Sequence, residues 1–182
     1  LVLTLGVAAP AQAAKAHPVA APASNGQQVE RPYKAFQTGT SQVDFGDNYE
    51  NCFFTAEGFT CPVSTKESGK ANHLGKTTAS SAGFLTFTGA DCVLLDGSTS
   101  VEGEVKGVGE FVNVAANGDE LHGTYENTGC VEDSPSIGGE IVGTQPITGG
   151  TGRFTNATGS TTTTGSSLGD AIELAVRGTI SY

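Results

Sequence analysis

The chain has 182 residues, with nineteen acidic against nine basic side chains and a net charge of −10. Such a surface repels phosphate backbones and anionic headgroups, which argues against nucleic acid and anionic membranes as partners. A hydrophobic share of 37% with 26 Gly, no Trp and no Met gives enough for one core broken by many turns, hence one domain.

Residues 1–13 form a short apolar run that ends in Ala11-Gln12-Ala13, a small-residue cleavage pattern. The run lacks the basic start of a signal peptide, so it reads as a signal peptide truncated at its beginning. It is too short to span a bilayer, which takes about 20 apolar residues, and no later segment is apolar enough. Export to the extracellular space or periplasm is the expectation. Residues 14–32, with Pro18, Pro22 and several Ala, read as a flexible spacer in which His17 is solvated. The domain is then expected over 33–182.

Within it, apolar and polar residues alternate with a period of two, and helical periodicity is hard to find. Tyr33–Thr40 is the first strand candidate. Asp44-Phe-Gly-Asp-Asn-Tyr-Glu50 follows as a solvated acidic loop without the spacing of a helix–loop–helix calcium site. Cys52–Thr60, Gly69–Ser80 and Gly83–Thr88 are the next candidates. From Val101 to Phe111, Val101, Gly103, Val105, Gly107, Gly109 and Phe111 share one face, with glutamates and Lys106 mostly on the other. Asn117-Gly118 centres a hairpin turn, and the return strand places Leu121, Gly123 and Tyr125 together. Ile137–Gln145 and Phe154–Thr163 precede a C-terminal strand whose Ile172, Leu174, Val176, Gly178, Ile180 and Tyr182 face one way. About eight strands, each with one apolar face, are best served by closing the sheet, which removes exposed edges. A two-sheet sandwich would carry the same pattern.

Cys52, Cys61, Cys92 and Cys130 are an even number in a chain expected to be exported, which favours two disulfides. Three connectivities are open. Cys52–Cys61 would close a short loop between hairpin neighbours, leaving Cys92–Cys130 to tie two longer connections. The spacings do not fit a zinc site, and no metal is expected.

Ile147-Thr-Gly-Gly-Thr-Gly-Arg-Phe-Thr-Asn-Ala-Thr-Gly159 is the most specific stretch. Gly149, Gly150 and Gly152 allow a sharp corner with positive φ, Phe154 is an apolar anchor, and Gly159 closes the pattern. It resembles the Gly-Gly-(Thr/Ser)-Gly-x-Phe-x-x-Ala-x-Gly motif of allene oxide cyclase and dirigent-protein β-barrels, and of secreted bacterial proteins with that barrel. The resemblance implies a single closed antiparallel barrel with a hydrophobic cavity. In those families such a cavity serves a cofactor-free cyclisation or steers the coupling of phenoxy radicals. Because the motif is architectural, no catalytic residue is transferred.

Other motifs fail on context. Gly165-Ser-Ser-Leu-Gly169 matches a nucleophile elbow, but no His follows Ser167 and both neighbours read as strands, so it is taken as a hairpin loop. Gly69 and Gly75 are separated by one residue too many for a phosphate-binding loop. No cofactor is expected. Asn156-Ala-Thr158 forms a glycosylation sequon only by coincidence with the barrel motif.

Strand parity predicts a cavity lined by Val105, Phe111, Leu121, Tyr125, Leu174 and Val176, with His73 as its main polar group. On Gly69–Ser80, His73 shares a face with Gly69, Ala71, Gly75, Thr77 and Ala79. Asn72-His-Leu-Gly-Lys76 also resembles a strand of the secreted bacterial barrels. A His hydrogen-bonded in a core or at a rim is the competing reading. No carboxylate falls on an apolar face so identified, since Glu102, Glu104, Glu110 and Glu173 lie on polar sides. The balance therefore tilts to binding a small hydrophobic molecule, or to an extracellular structural or interaction role. A cofactor-free isomerase or cyclase is the alternative. Oligomeric state is left open.

Overall fold

The computed structural model describes residues 28–94, 96–131 and 139–182. The expected signal peptide and most of the spacer lie outside the described residues. Eight long strands carry the architecture: β1 (Glu30–Val43), β3 (Phe59–Ala71), β4 (Gly75–Phe87), β7 (Glu104–Ala115), β8 (Glu120–Cys130), β9 (Gly139–Gly150), β10 (Thr158–Leu168) and β11 (Ala171–Ser181). Three two-residue strands decorate them: β2 (Phe53–Phe54), β5 (Cys92–Val93) and β6 (Thr99–Ser100). The sheet order runs β1-β11-β10-β9-β8-β7-β4-β3, every pair antiparallel, and β3 returns to β1 with Ala35 opposite Ala71 and Val43 opposite Val63. That last pairing closes the sheet into a barrel and rules out the sandwich.

Several boundaries depart from expectation: Cys52–Thr60 is β2, a turn and the start of β3, β7 begins only at Glu104, Phe154 lies in a turn before β10, and three further departures bear on the site. First, β1 starts at Glu30, where Glu30, Arg31 and Pro32 pair with Ser181, Ile180 and Thr179. The tail of the expected spacer is therefore strand, with Pro32 placed near the strand's start, where its missing N–H is tolerated. Second, Gly69–Ser80 is not one strand but the end of β3 and the start of β4, joined by a turn at Asn72, His73 and Leu74. Third, Cys61–Ser68, which lay between the strand candidates Cys52–Thr60 and Gly69–Ser80, forms the middle of β3. The Asn117-Gly118 turn and the C-terminal strand are as expected, with Gly118 at φ 88°.

Both disulfides form with the expected pairing, Cys52–Cys61 and Cys92–Cys130. The first pins the β2 hairpin to β3. The second ties the β5 connection to the end of β8.

Inside the barrel, one end is filled. Tyr33, Ala35, Leu74, Leu121, Ile147, Phe154, Ala157, Val176 and Ile180 form a continuous apolar cluster there. The glycine motif builds its base. After β9 the chain turns through Gly152 (φ 57°) into a 3-10 turn, Gly152–Phe154, which drives the Phe154 ring fully under the barrel. The ring meets Tyr182 edge-to-face at 4.9 Å, and the Arg153 guanidinium lies 4.8 Å from its centre. Gly150 departs from expectation: it is not among the positive-φ residues. It is needed for close approach, because a Cβ there would sit 1.9 Å from the Glu120 carbonyl oxygen.

Candidate functional site

Above the plug the barrel is open. Gln37 of β1 and Asn113 of β7, both buried, are hydrogen-bonded at 2.6 Å from Gln37 Nε2 to Asn113 Oδ1. Their strands are not neighbours in the sheet, so this bond crosses the lumen and floors a cavity of about 320 Å³. Its mouth lies at the ends of β1 and β8 and at the β10–β11 turn, where Val43, Phe45, Val131 and Asp170 line it.

Glycines shape its wall. Tyr125 of β8 lies over its neighbours on β7 and β4. A Cβ at Gly109 would be 2.8 Å from Tyr125 Cε1, and one at Gly83 would be 2.8 Å from the Tyr125 hydroxyl. Phe111 covers Gly123 in the same way, at 2.5 Å from a Cβ there. The inward glycines thus make room for aromatic rings from adjacent strands, in addition to relaxing the curvature.

The acidic group inside the cavity is Glu67 of β3, with Asp170 at its mouth. It is level with Gly39 of β1 and Ala79 of β4, both small, so its carboxyl reaches into the lumen. Thr65 donates a hydrogen bond to Glu67 Oε1 and lies 2.8 Å from the Ser81 hydroxyl. Ser81 in turn stands beside the Tyr125 hydroxyl. A polar run Glu67–Thr65–Ser81–Tyr125 therefore crosses β3, β4 and β8 inside a mainly apolar chamber. Burial raises the Glu67 carboxyl above its usual range, partly offset by the Thr65 hydrogen bond. Burial also raises the Tyr125 phenol, with Ser81 opposing and the Glu67 charge reinforcing. Asn127 contributes a buried Oδ1 without a hydrogen-bond partner.

Of the expected cavity residues, Val105, Phe111, Tyr125 and Leu174 do line it. Leu121 and Val176 do not; they belong to the packed plug, because their positions along β8 and β11 fall below the floor. His73 is outside the cavity altogether. It sits at φ 71° in the β3–β4 turn, where its Nε2 donates to the Pro32 carbonyl at 2.9 Å. Asn72 beside it bonds Pro32 O and Lys34 N, so the pair fastens this turn to β1 at the closed end. Strand parity placed His73 inward only because the turn was read as strand.

Sequence reasoning missed Gln37, Asn113 and Glu67. All three lay on alternating patterns: Tyr33-x-Ala35-x-Gln37, Phe111-x-Asn113, and Cys61-x-Val63-x-Thr65-x-Glu67. Lys66 and Pro62 hid the last of these. Ser167, expected in a loop, is the penultimate residue of β10 and lines the mouth; a hairpin turn to β11 follows, so no nucleophile elbow exists there. Among the described residues, no group of three or more His, Cys, Asp or Glu is placed to hold a metal ion. No helix among them is long and apolar enough to cross a membrane.

The chain matches no family model and no curated protein. Among solved structures it is similar to that of the pterocarpan synthase dirigent protein GePTS1. The likeness covers 93% of this chain and 99% of that one, at 15% identity and a TM-score of 0.48. The fold is a closed eight-stranded antiparallel barrel. That is the architecture implied by the glycine motif, while a likeness of this degree says nothing of what the cavity holds.

Proposed function

We propose that the barrel is a chamber for one small, largely apolar molecule oriented by a few hydrogen bonds, in a protein that works outside the cytoplasm. The observation that carries this reading is the half-filled lumen. The apolar cluster fills the lumen up to the Gln37–Asn113 floor and continues past it only in the walls, through Phe111 and Tyr125, which with aliphatic side chains surround a short polar run. Concave, mostly apolar sites with few convergent polar groups are the usual form of small-molecule pockets. The two disulfides support an oxidising compartment.

An apolar fluorescent probe should bind the wild type and weaken in Val105→Trp, which fills the cavity, and in Tyr125→Ala, which removes its main aromatic wall. Probe binding that both variants leave unchanged would sink the proposal.

A second reading is favoured by Glu67. A cofactor-free isomerisation or cyclisation needs a group that exchanges a proton in a water-poor site, and a carboxyl with a raised pKa suits that task. Such a reaction conserves mass. Incubation with a hydrophobic extract should then give a product of unchanged mass and altered retention with the wild type, and none with Glu67→Gln. A product formed equally by both would remove Glu67 from any catalytic role.

A further inference from the structure

Resting on the reading of the lumen as a small-molecule site, we propose that its occupant is an apolar amine. The amine is held as an ammonium ion between the Glu67 carboxylate and the aromatic faces of Tyr125 and Phe111.

The charges that line the cavity all have one sign. Glu67 stands inside and Asp170 at the rim, and among the described residues no Lys, Arg or His lines it. Around Glu67, β1 offers Gly39, β4 offers Ala79 and Ser81, and β8 offers Tyr125, so no cation among the described residues faces it. Lys66 and Lys70 of its own strand are exposed on the outer face. The ion pairs found among the described residues, His122–Glu120 and Arg153–Asp119, also lie outside the lumen.

A carboxylate accepts about four hydrogen bonds. Thr65 supplies one to Glu67, and the remaining capacity points to the chamber. An ionised carboxyl withdrawn from water without a counter-charge is costly, and a cationic ligand removes that cost while forming a charge-assisted hydrogen bond. The aromatic walls add a second feature suited to a cation. The Tyr125 ring lines the chamber beside Gly107 and Gly109, as Phe111 does nearby, and an aromatic ring face attracts an ammonium group. The net charge of −10 and the Asp170 rim concentrate cations at the mouth. A carboxylic acid or phosphate ester, by contrast, finds only like charge. The upward displacement of the Glu67 carboxyl by burial is what a counter-ion-free site produces.

The test is a matched series on one skeleton: naphthylmethylamine, naphthylmethanol and naphthoic acid, titrated into the full chain near pH 7. Because the chain has no Trp, naphthalene emission reads binding directly. The amine should bind about tenfold tighter than the alcohol, and the acid most weakly. In Glu67→Gln, circular dichroism confirming the fold, the amine should fall to the affinity of the alcohol while the alcohol holds its own. Should that variant not fold, the wild-type ranking alone decides. An alcohol or acid that equals or exceeds the amine overturns the amine assignment but leaves the chamber standing. Failure of all three to bind at millimolar concentration overturns the chamber reading as well.

Discussion

Gln37 and Asn113 face each other from strands that share no ladder, and the 2.6 Å bond between their amides is a strut across the barrel. It separates a packed half from an open half. Apolar side chains at these two positions would extend the plug upward and consume the chamber. Amides end the apolar cluster while satisfying each other.

Removing one partner should therefore cost more than removing both. Asn113→Leu strands the Gln37 amide in a buried setting, an expected loss of about 1–3 kcal/mol. Adding Gln37→Leu should return part of that loss, because two apolar groups of similar size need no partner. Urea unfolding of the two singles and the double would expose the coupling. Additive losses would mean that the strut is incidental.

Phe154 should be the most sensitive residue of the glycine motif. Its ring is fully buried beneath the barrel, and truncation to Ala leaves a void that the closed sheet cannot collapse to fill. A loss of about 3–5 kcal/mol is expected for Phe154→Ala. Probe binding at the opposite end should persist at temperatures where the variant remains folded. A loss below about 1 kcal/mol would show that the 3-10 turn is not part of the plug.

Much of the barrel was legible because each wall strand carries one apolar face, and closure follows once those faces must be covered. The motif gave the position of Phe154, although it did not separate Gly152, which needs positive φ, from Gly150, which needs close approach. The cavity was less legible. A half-open lumen tolerates polar side chains, so Thr65 and Glu67 broke the apolar alternation and the middle of β3 was not among the strand candidates. His73 was misplaced for the converse reason. Gly, Ala and Thr on both sides of a tight turn continue a small-residue pattern straight through it. Parity assigns a face but not a height, which is why Leu121 and Val176 were put in the cavity when they lie in the plug beneath it.

The two disulfides should contribute unequally. Cys92–Cys130 closes a sequence separation of 38 and Cys52–Cys61 one of 9. Loop-closure entropy grows with the logarithm of that separation, so the longer bridge should stabilise by about 1 kcal/mol more. Paired Cys→Ser variants compared by thermal unfolding would check the order. Equal losses would show that local contacts at β2 and β5, not chain entropy, set the effect.

Glu67 should leave a pH signature on stability. An unfolded glutamate titrates near 4.5, whereas burial holds the folded carboxyl above that value. Between the two pKa values the folded state keeps a proton that the unfolded state has lost, so rising pH favours unfolding. The contribution is fully present below 4.5 and is lost as pH rises through the folded-state pKa. Glu67→Gln does not titrate and mimics the protonated form. The stability difference, variant minus wild type, should therefore grow from about pH 4 upward and level off once the folded carboxyl has ionised. Other carboxyls are common to both chains and cancel to first order. Tyr125, the phenol nearest Glu67, titrates far above this window because burial moves it upward. Urea unfolding of both proteins between about pH 4 and pH 8 measures the difference directly. A difference that shrinks with rising pH would mean that the folded state stabilises the carboxylate. In that case a cation or further donors would have to face Glu67 in the lumen.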